Sequence, residues 1–496
     1  MRIADQINAC VKRAAVVMLA AAGLMGAMQC ASAQTPDTND ADLALIAKGH
    51  QLAVAADCMA CHTSVNGGKP FAGGYGIASP MGTIYSSNIT PSKTAGIGRY
   101  TEVQFAQALR EGVRADGAHL YPAMPYTSYT GLTDDDVHAL YAYFMHGVEP
   151  VDQAAPQTKL PFPFSVRASM AAWNTLYLHD RRFAPDPQHD AQWNHGAYLA
   201  NVLAHCSACH TPRNFMMAED AKQDLGGAQL GAWYAPNITS DAVSGIGAWS
   251  DAELVSYLKT GRAPGKNQAA GPMAEAVQNS LQYLSDDDLA AIVVYLRSTT
   301  PIRDPHETKP AFAHGASASV ETGLRGMQPY NANGTLTTGA ALFSGYCASC
   351  HRVDGKGSPS QAYPSLSANT ATGSLNPSNL VATMLYGVDR ETGGEHVLMP
   401  NFGEESYVQP LTDEQIASIA NYVLAQYGNA DVHVSVEDVA IARNGGPRPL
   451  LARLQPVMVP GGILVALLVI GLLISVVRRG RRRVTASAES SQVEKV

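Results

Sequence analysis

Cysteine and charge are both scarce in this chain. Only eight of its 496 residues are Cys, far too few for a disulfide scaffold at this length. Charged residues make up 15%, well below the roughly 25% of an average globular protein. There is no basic surplus either, since the net charge is −8. A nucleic-acid partner would need a basic face, so that class is excluded. A mean hydropathy of −0.07 excludes a polytopic membrane protein. With 44 Gly and 29 Pro, collagen-like and low-complexity compositions are excluded too. No Ser/His/Asp set, glycine-rich phosphate loop or hydride-cofactor motif is present. What remains is a chain long enough for three or four domains at roughly 100–200 residues each.

Each end carries an apolar run. Lys12-Arg13, the stretch from Ala14 to Met28 and Ala31-Ser32-Ala33 read as the basic region, apolar region and cleavage site of a signal peptide over 1–33. Cys10 and Cys30 leave with it, and Gln29 is too large for the lipobox that Cys30 would need. At the other end, Val457 to Val477 holds 21 residues without a charge, followed by Arg478, Arg479, Arg481, Arg482 and Arg483. That length predicts a single C-terminal transmembrane anchor over 457–477. By the positive-inside rule the basic tail 478–496 is cytoplasmic and the body lies in the periplasm, beside the inner membrane. A buried core helix would leave five adjacent arginines unexplained. Residues 34–477 carry 25 basic and 39 acidic side chains, so the body is acidic.

The six remaining cysteines fall into three identical patterns, Cys58-x-x-Cys61-His62, Cys206-x-x-Cys209-His210 and Cys347-x-x-Cys350-His351. C-x-x-C-H is the attachment sequence of c-type haem. Two thiols at this spacing meet the two vinyl groups of one porphyrin edge, and the following imidazole reaches the iron. Zinc knuckles or thioredoxin-like loops also use C-x-x-C, but neither demands His each time. The surroundings repeat as well: Asn88-Ile89-Thr90 returns as Asn237-Ile238-Thr239, and Gly96-Ile97-Gly98 as Gly245-Ile246-Gly247.

Each unit opens on a helical stretch with a small residue, Gly49, Gly196 or Gly339, and closes on a capped amphipathic helix. The closing helices begin at Thr133-x-x-Asp136, Ser285-x-x-Asp288 and Thr412-x-x-Gln415, each ahead of an apolar i, i+3, i+4, i+7 stripe. The glycines would let first and last helices cross closely, with Tyr295 and Tyr422 as core packing. Domains are expected over 42–150, 190–305 and 333–430, joined by links at 151–189 and 306–332.

The sixth iron ligand decides the chemistry. In every unit a helix ends at a glycine, Gly112, Gly261 or Gly387, and a Met stands 12 residues beyond it: Met124, Met273 and Met399. Only these three of 16 methionines occupy equivalent places in all units, which predicts axial ligation by each. Met81, Met384 and His119 are the alternatives. Haems closed by Met carry electrons and leave no site for oxygen or peroxide chemistry. Arg213, after Cys209-His210-Thr211-Pro212, reads either as a haem-propionate partner or as an exposed surface residue.

Together these features resemble the triple-haem cytochrome c subunit of membrane-bound alcohol, aldehyde or sugar dehydrogenases of acetic acid bacteria. The resemblance covers residues 41 to about 430. It rests on the three C-x-x-C-H motifs, Asn88-Ile89-Thr90-Pro91, Tyr121-Pro122-Ala123-Met124-Pro125-Tyr126, Tyr143-Phe144-Met145-His146-Gly147-Val148 and Gly271-Pro272-Met273-Ala274. It implies a mainly α protein of three tandem class I cytochrome c-like domains, to which the sequence adds the transmembrane helix. It also implies electron flow from a catalytic dehydrogenase subunit through three haem c groups to ubiquinone. Cys58, Cys61, Cys206, Cys209, Cys347 and Cys350 would hold haem, and His62, Met124, His210, Met273, His351 and Met399 would hold iron. A C-terminal anchor points within this family to a molybdopterin aldehyde dehydrogenase partner with an iron–sulfur subunit, ahead of flavin or quinoprotein types. The competing readings are a free-standing anchored shuttle to a terminal oxidase and a multihaem peroxidase or reductase.

Overall fold

Each unit is closed by its first and last helices crossing at a residue with no side chain. The computed structural model describes residues 38–65, 67–316 and 336–458, with scattered residues between 460 and 475. In the first unit α1 (Thr38–Ala55) leads to α2 (Cys58–His62), which carries the first motif. The hairpin β1 (Gly76–Ser79) and β2 (Gly82–Tyr85), then α3 (Glu102–Glu111) and α4 (Asp134–Ala142), complete it. A link helix α5 (Ser169–Tyr177) precedes the second unit, built from α6 (Ala191–Tyr198), α7 (Cys206–His210), β3 (Ala228–Leu230) and β4 (Trp233–Ala235). It continues with α8 (Asp251–Thr260), the short β5 (Arg262–Ala263) and β6 (Asn267–Gln268), α9 (Gly271–Asn279) and α10 (Asp286–Arg297).

The third unit has α11 (Gly339–Tyr346), α12 (Ala348–His351) and α13 (Ser378–Tyr386). The hairpin β7 (Val388–Thr392) and β8 (Glu395–Met399), then α14 (Asp413–Tyr427) and α15 (Val436–Arg443), follow. Among the described residues every sheet has two strands, all of them antiparallel. The fold is mainly α, as the sequence predicts.

A Cβ on Gly49 would lie 2.0 Å from the main-chain oxygen of Ala139 in α4, and on Gly196 1.9 Å from that of Ala291 in α10. On Gly339 it would lie 2.2 Å from the Ser418 oxygen in α14. The crossings are therefore backbone against backbone. The aromatic partners pack against the cores, as expected, and keep one register: Tyr143, Tyr295 and Tyr422 each stand four residues beyond the oxygen that meets the glycine, and Tyr295 also reaches Asn201 through its hydroxyl. The closing helices form where predicted, behind the side-chain caps Thr133, Ser285 and Thr412. Units one and two share one apolar core that runs from Ala53 through Leu132 to Leu296, while unit three has its own around Phe343, Ile416 and Leu424.

The C-terminal transmembrane helix expected over 457–477 is not supported. Among the described residues no helix is long and apolar enough to cross a membrane. The described helical stretch from Leu450 to Met458 includes the charged Arg453. Parts of 457–477, and all of 478–496, lie outside the described residues. The orientation that rested on the anchor, with a cytoplasmic C-terminus and the haem domains in the periplasm of the inner membrane, falls with it. The expected signal peptide over 1–33 also lies outside the described residues.

Candidate functional site

The motif histidines are set by main chain from a distant loop. The Nδ1 of His62 is 2.7 Å from the Ser87 oxygen, that of His210 is 2.7 Å from the Pro236 oxygen, and that of His351 is 3.0 Å from the Pro364 oxygen. A carbonyl only accepts, so each Nδ1 carries the proton and donates it. The lone pair is left on Nε2, the arrangement a metal-ligating imidazole needs. Burial pushes all three imidazoles below their ordinary pKa, which keeps them neutral and ready to ligate.

The repeated Asn-Ile-Thr explains how that carbonyl is held. Asn88 Oδ1 accepts from the amide and hydroxyl of Thr90, while its Nδ2 donates to the Val151 oxygen. Asn237 does the same with Thr239 and the Ile302 oxygen. Each loop is thereby pinned to the segment beyond its unit's last helix. Glycines complete the fit, since a Cβ on Gly96 would lie 2.2 Å from the Thr90 oxygen and one on Gly245 2.2 Å from the Thr239 oxygen. In unit three Ser365-Leu366-Ser367 takes this place, with the Ser367 amide donating to Ser365 Oγ. Sequence reading missed both this third copy and the carbonyls, because neither leaves an identity in side-chain letters.

All six motif cysteines are free and half-buried. Burial pushes the thiols of Cys58, Cys61, Cys206 and Cys347 up to about 12, and Cys209 is raised for the same reason. Such an environment disfavours thiolate and suits a neutral thioether. The zinc reading finds no support in geometry: among the described residues no three His, Cys, Asp or Glu side chains converge as a metal cluster.

A cavity of about 1950 Å³ is lined by Cys58, Cys61, His62 and Met124 of unit one together with Cys206, Cys209, His210 and Met273 of unit two. The structure thus brings the predicted residues of two units around one space. Met399 ends β8 and packs with Cys347 on the third core. The helix-ending glycines have φ of 63°, 72° and 75° at Gly112, Gly261 and Gly387, a left-handed value that glycine adopts without strain. Each releases the chain toward its Met. Of the alternatives, Met81 stands at the β1–β2 turn and Met384 is in the third core, and neither Met81 nor His119 lines the cavity. Arg213 does line it, yet its guanidinium already donates to the Ala208 oxygen and pairs with Glu219 at 3.3 Å.

Three tandem units, each a pair of crossed helices around a C-x-x-C-H motif, define a multihaem cytochrome c. The family model for cytochrome c matches residues 46–147, 196–300 and 336–426, and three such domains imply covalently bound haem c. The chain is 52% identical over 446 residues to the fructose dehydrogenase cytochrome subunit of Gluconobacter japonicus, covering 88% of this chain and 92% of that one. It is 39% identical to the cytochrome c subunit of the alcohol dehydrogenase (quinone) of Komagataeibacter europaeus (84% and 87% covered). Identity is 38% to the gluconate 2-dehydrogenase cytochrome c subunit of Pantoea cypripedii (85% and 93%). The chain belongs to the family of cytochrome c subunits of membrane-bound dehydrogenases, and it carries electrons for a catalytic dehydrogenase partner.

The residues present fit haem c. An apolar cavity, neutral thiols and imidazoles with free Nε2 atoms are what a covalently held porphyrin requires. When bound, the haem supplies one-electron exchange at iron. The chain's part is to fix each imidazole through a carbonyl and to wall the cavity with the Cys, His and Met side chains that would hold the group.

Proposed function

We propose that the chain passes electrons from a sugar-oxidising dehydrogenase subunit through three haems to ubiquinone. In this reading Cys58, Cys61, Cys206, Cys209, Cys347 and Cys350 attach haem, and the iron ligands are His62 with Met124, His210 with Met273 and His351 with Met399. The domains extend over about 42–150, 190–305 and 333–430. The carrying observation is the threefold placement of a motif His with Nδ1 committed to a carbonyl and a Met 12 residues past a helix-ending glycine. A relative named as the cytochrome subunit of fructose dehydrogenase, at 52% identity, favours a sugar over the aldehyde substrate. No relative described above is named for a molybdopterin enzyme, and that partner type is not supported. A relative named as a quinone enzyme favours ubiquinone as acceptor.

Detergent extraction followed by purification tests the reading. The chain should come out with a larger catalytic subunit, and fructose should reduce its haems faster than ethanol or acetaldehyde does. Purification alone, with haems that no such substrate reduces, would overturn it in favour of a free-standing shuttle.

A further inference from the structure

The seam between units two and three contains a charge without a counter-ion among the described residues. Arg390 lies in β7 of unit three and is fully buried at 0% exposure. Its guanidinium reaches residues of unit two. A Cβ on Gly261 would be 2.7 Å from Arg390 Cζ, and Arg390 Nη1 donates to the Ala269 oxygen at 2.5 Å. The Nε and Nη2 atoms have no hydrogen-bond partner among the described residues. Nearby acids are committed elsewhere: Glu395 pairs with Arg262 at 2.5 Å and Asp389 with His396 at 2.7 Å.

An isolated buried cation is costly, by several kcal/mol on the order expected for one ion taken from water. It is retained where a negative group offsets it, or where its field is used. Burial lowers the guanidinium to about 10, so it stays charged at neutral pH. The guanidinium interacts with Tyr257, which lines the double cavity, as do Val388 and Asp389 on the strand that carries Arg390. That strand packs on α9, the helix that carries Met273, so Arg390 stands beside the wall of the unit-two site.

We propose that Arg390, contributed by unit three, is a fixed positive charge that raises the reduction potential of the haem in unit two. Reduction adds an electron, and a nearby cation in a low-dielectric interior favours the reduced state. Docking of one unit thus sets the potential of its neighbour. The inference rests on the assignment of Cys206, Cys209, His210 and Met273 to that haem.

Potentiometric titration of the haem-loaded complex tests it. Arg390→Gln keeps a donor for the Ala269 oxygen and removes the charge; one of three midpoints should fall while the other two stay. Arg390→Lys should restore that midpoint. Arg390→Met, which removes the charge and keeps a long apolar side chain in the buried site, should lower the same midpoint and serves if Arg390→Gln fails to load haem. Three unchanged midpoints in either variant would overturn the proposal, as would a shift confined to the haem that responds to Met124→Ala or Met399→Ala. Three haems unaffected by Met273→Ala would instead sink the underlying ligand assignment.

Discussion

At the scale of single residues, the chemistry of each site is divided between a side chain that the motif names and a backbone atom that it does not. His62, His210 and His351 supply Nε2, but Ser87, Pro236 and Pro364 decide that Nε2 is the free nitrogen. The Met side of the site should be separable from this. In the proposed assignment, replacing Met273 with Ala would remove the sixth ligand of the second site and would leave the attachment through Cys206 and Cys209 in place. Three haems per chain should remain, with one showing a lowered potential, because Met ligation raises it. The same haem should gain a carbon monoxide band in its reduced spectrum, which the wild-type chain should lack. A carbon monoxide shift in the wild type would favour the peroxidase or reductase reading. Replacing Asn88 with Ala tests the other side, since it leaves the Thr90 hydroxyl and Val151 oxygen without their partner. A loss of about 1–3 kcal/mol is expected, read as a lower thermal midpoint, and full wild-type stability would refute the clamp.

At the scale of elements, the helix crossing is the feature on which each unit depends. Gly196→Ala would place a methyl 1.9 Å from the Ala291 oxygen. The obstacle is main chain, so no smaller side chain on α10 can relieve it. Overpacking of this kind costs about 1–3 kcal/mol, which should appear as a lower unfolding temperature of the second unit; an unchanged temperature would mean the helices do not cross at this residue.

Much of this geometry was legible in the sequence, because helix periods, N-caps, and the spacing of Cys, His and Met are local signals. Three features were not. The hydrogen bonds of Ser87, Pro236 and Pro364 use atoms common to all residues. Ser365-Leu366-Ser367 repeats the local turn of Asn-Ile-Thr with different letters. Arg390 acts across a seam whose two sides, Gly261 and β7, lie far apart in the chain. The C-terminal anchor was the opposite case: a run of apolar letters and a flanking charge pattern suggested a membrane-crossing helix, and no helix among the described residues is long and apolar enough to be one.

At the scale of the whole molecule, the units are alike in outline but differ in how their crossings respond to acid. The residue before each crossing glycine faces the third residue of the closing helix. In unit one Lys48 pairs with Asp136 at 2.7 Å, and in unit two His195 meets Asp288 at 2.6 Å. Unit three has Thr338 and Gln415 at those positions, neither of which titrates. Asp136 also accepts from Tyr198 of unit two, so it joins the two units besides closing the first. Burial alone would raise both carboxyls. Hydrogen bonds overcome it, from Lys48, Tyr198 and Thr133 at Asp136 and from His195 and Ser285 at Asp288, and both end below the usual carboxylate range.

A carboxyl depressed in the folded state contributes its full stability above the unfolded pKa of about 3.9, and loses it as pH falls through the folded value. Acidification below about pH 4 should therefore loosen α1 against α4 and α6 against α10, and part units one and two, while α11 and α14 hold. Hydrogen exchange followed by peptide along a pH series reads this directly. Asp136→Asn should bring faster exchange in α1 and α4 already at neutral pH, and a flatter acid response below it. If unit three opens first, or all three open together, the ion pairs do not govern the crossings.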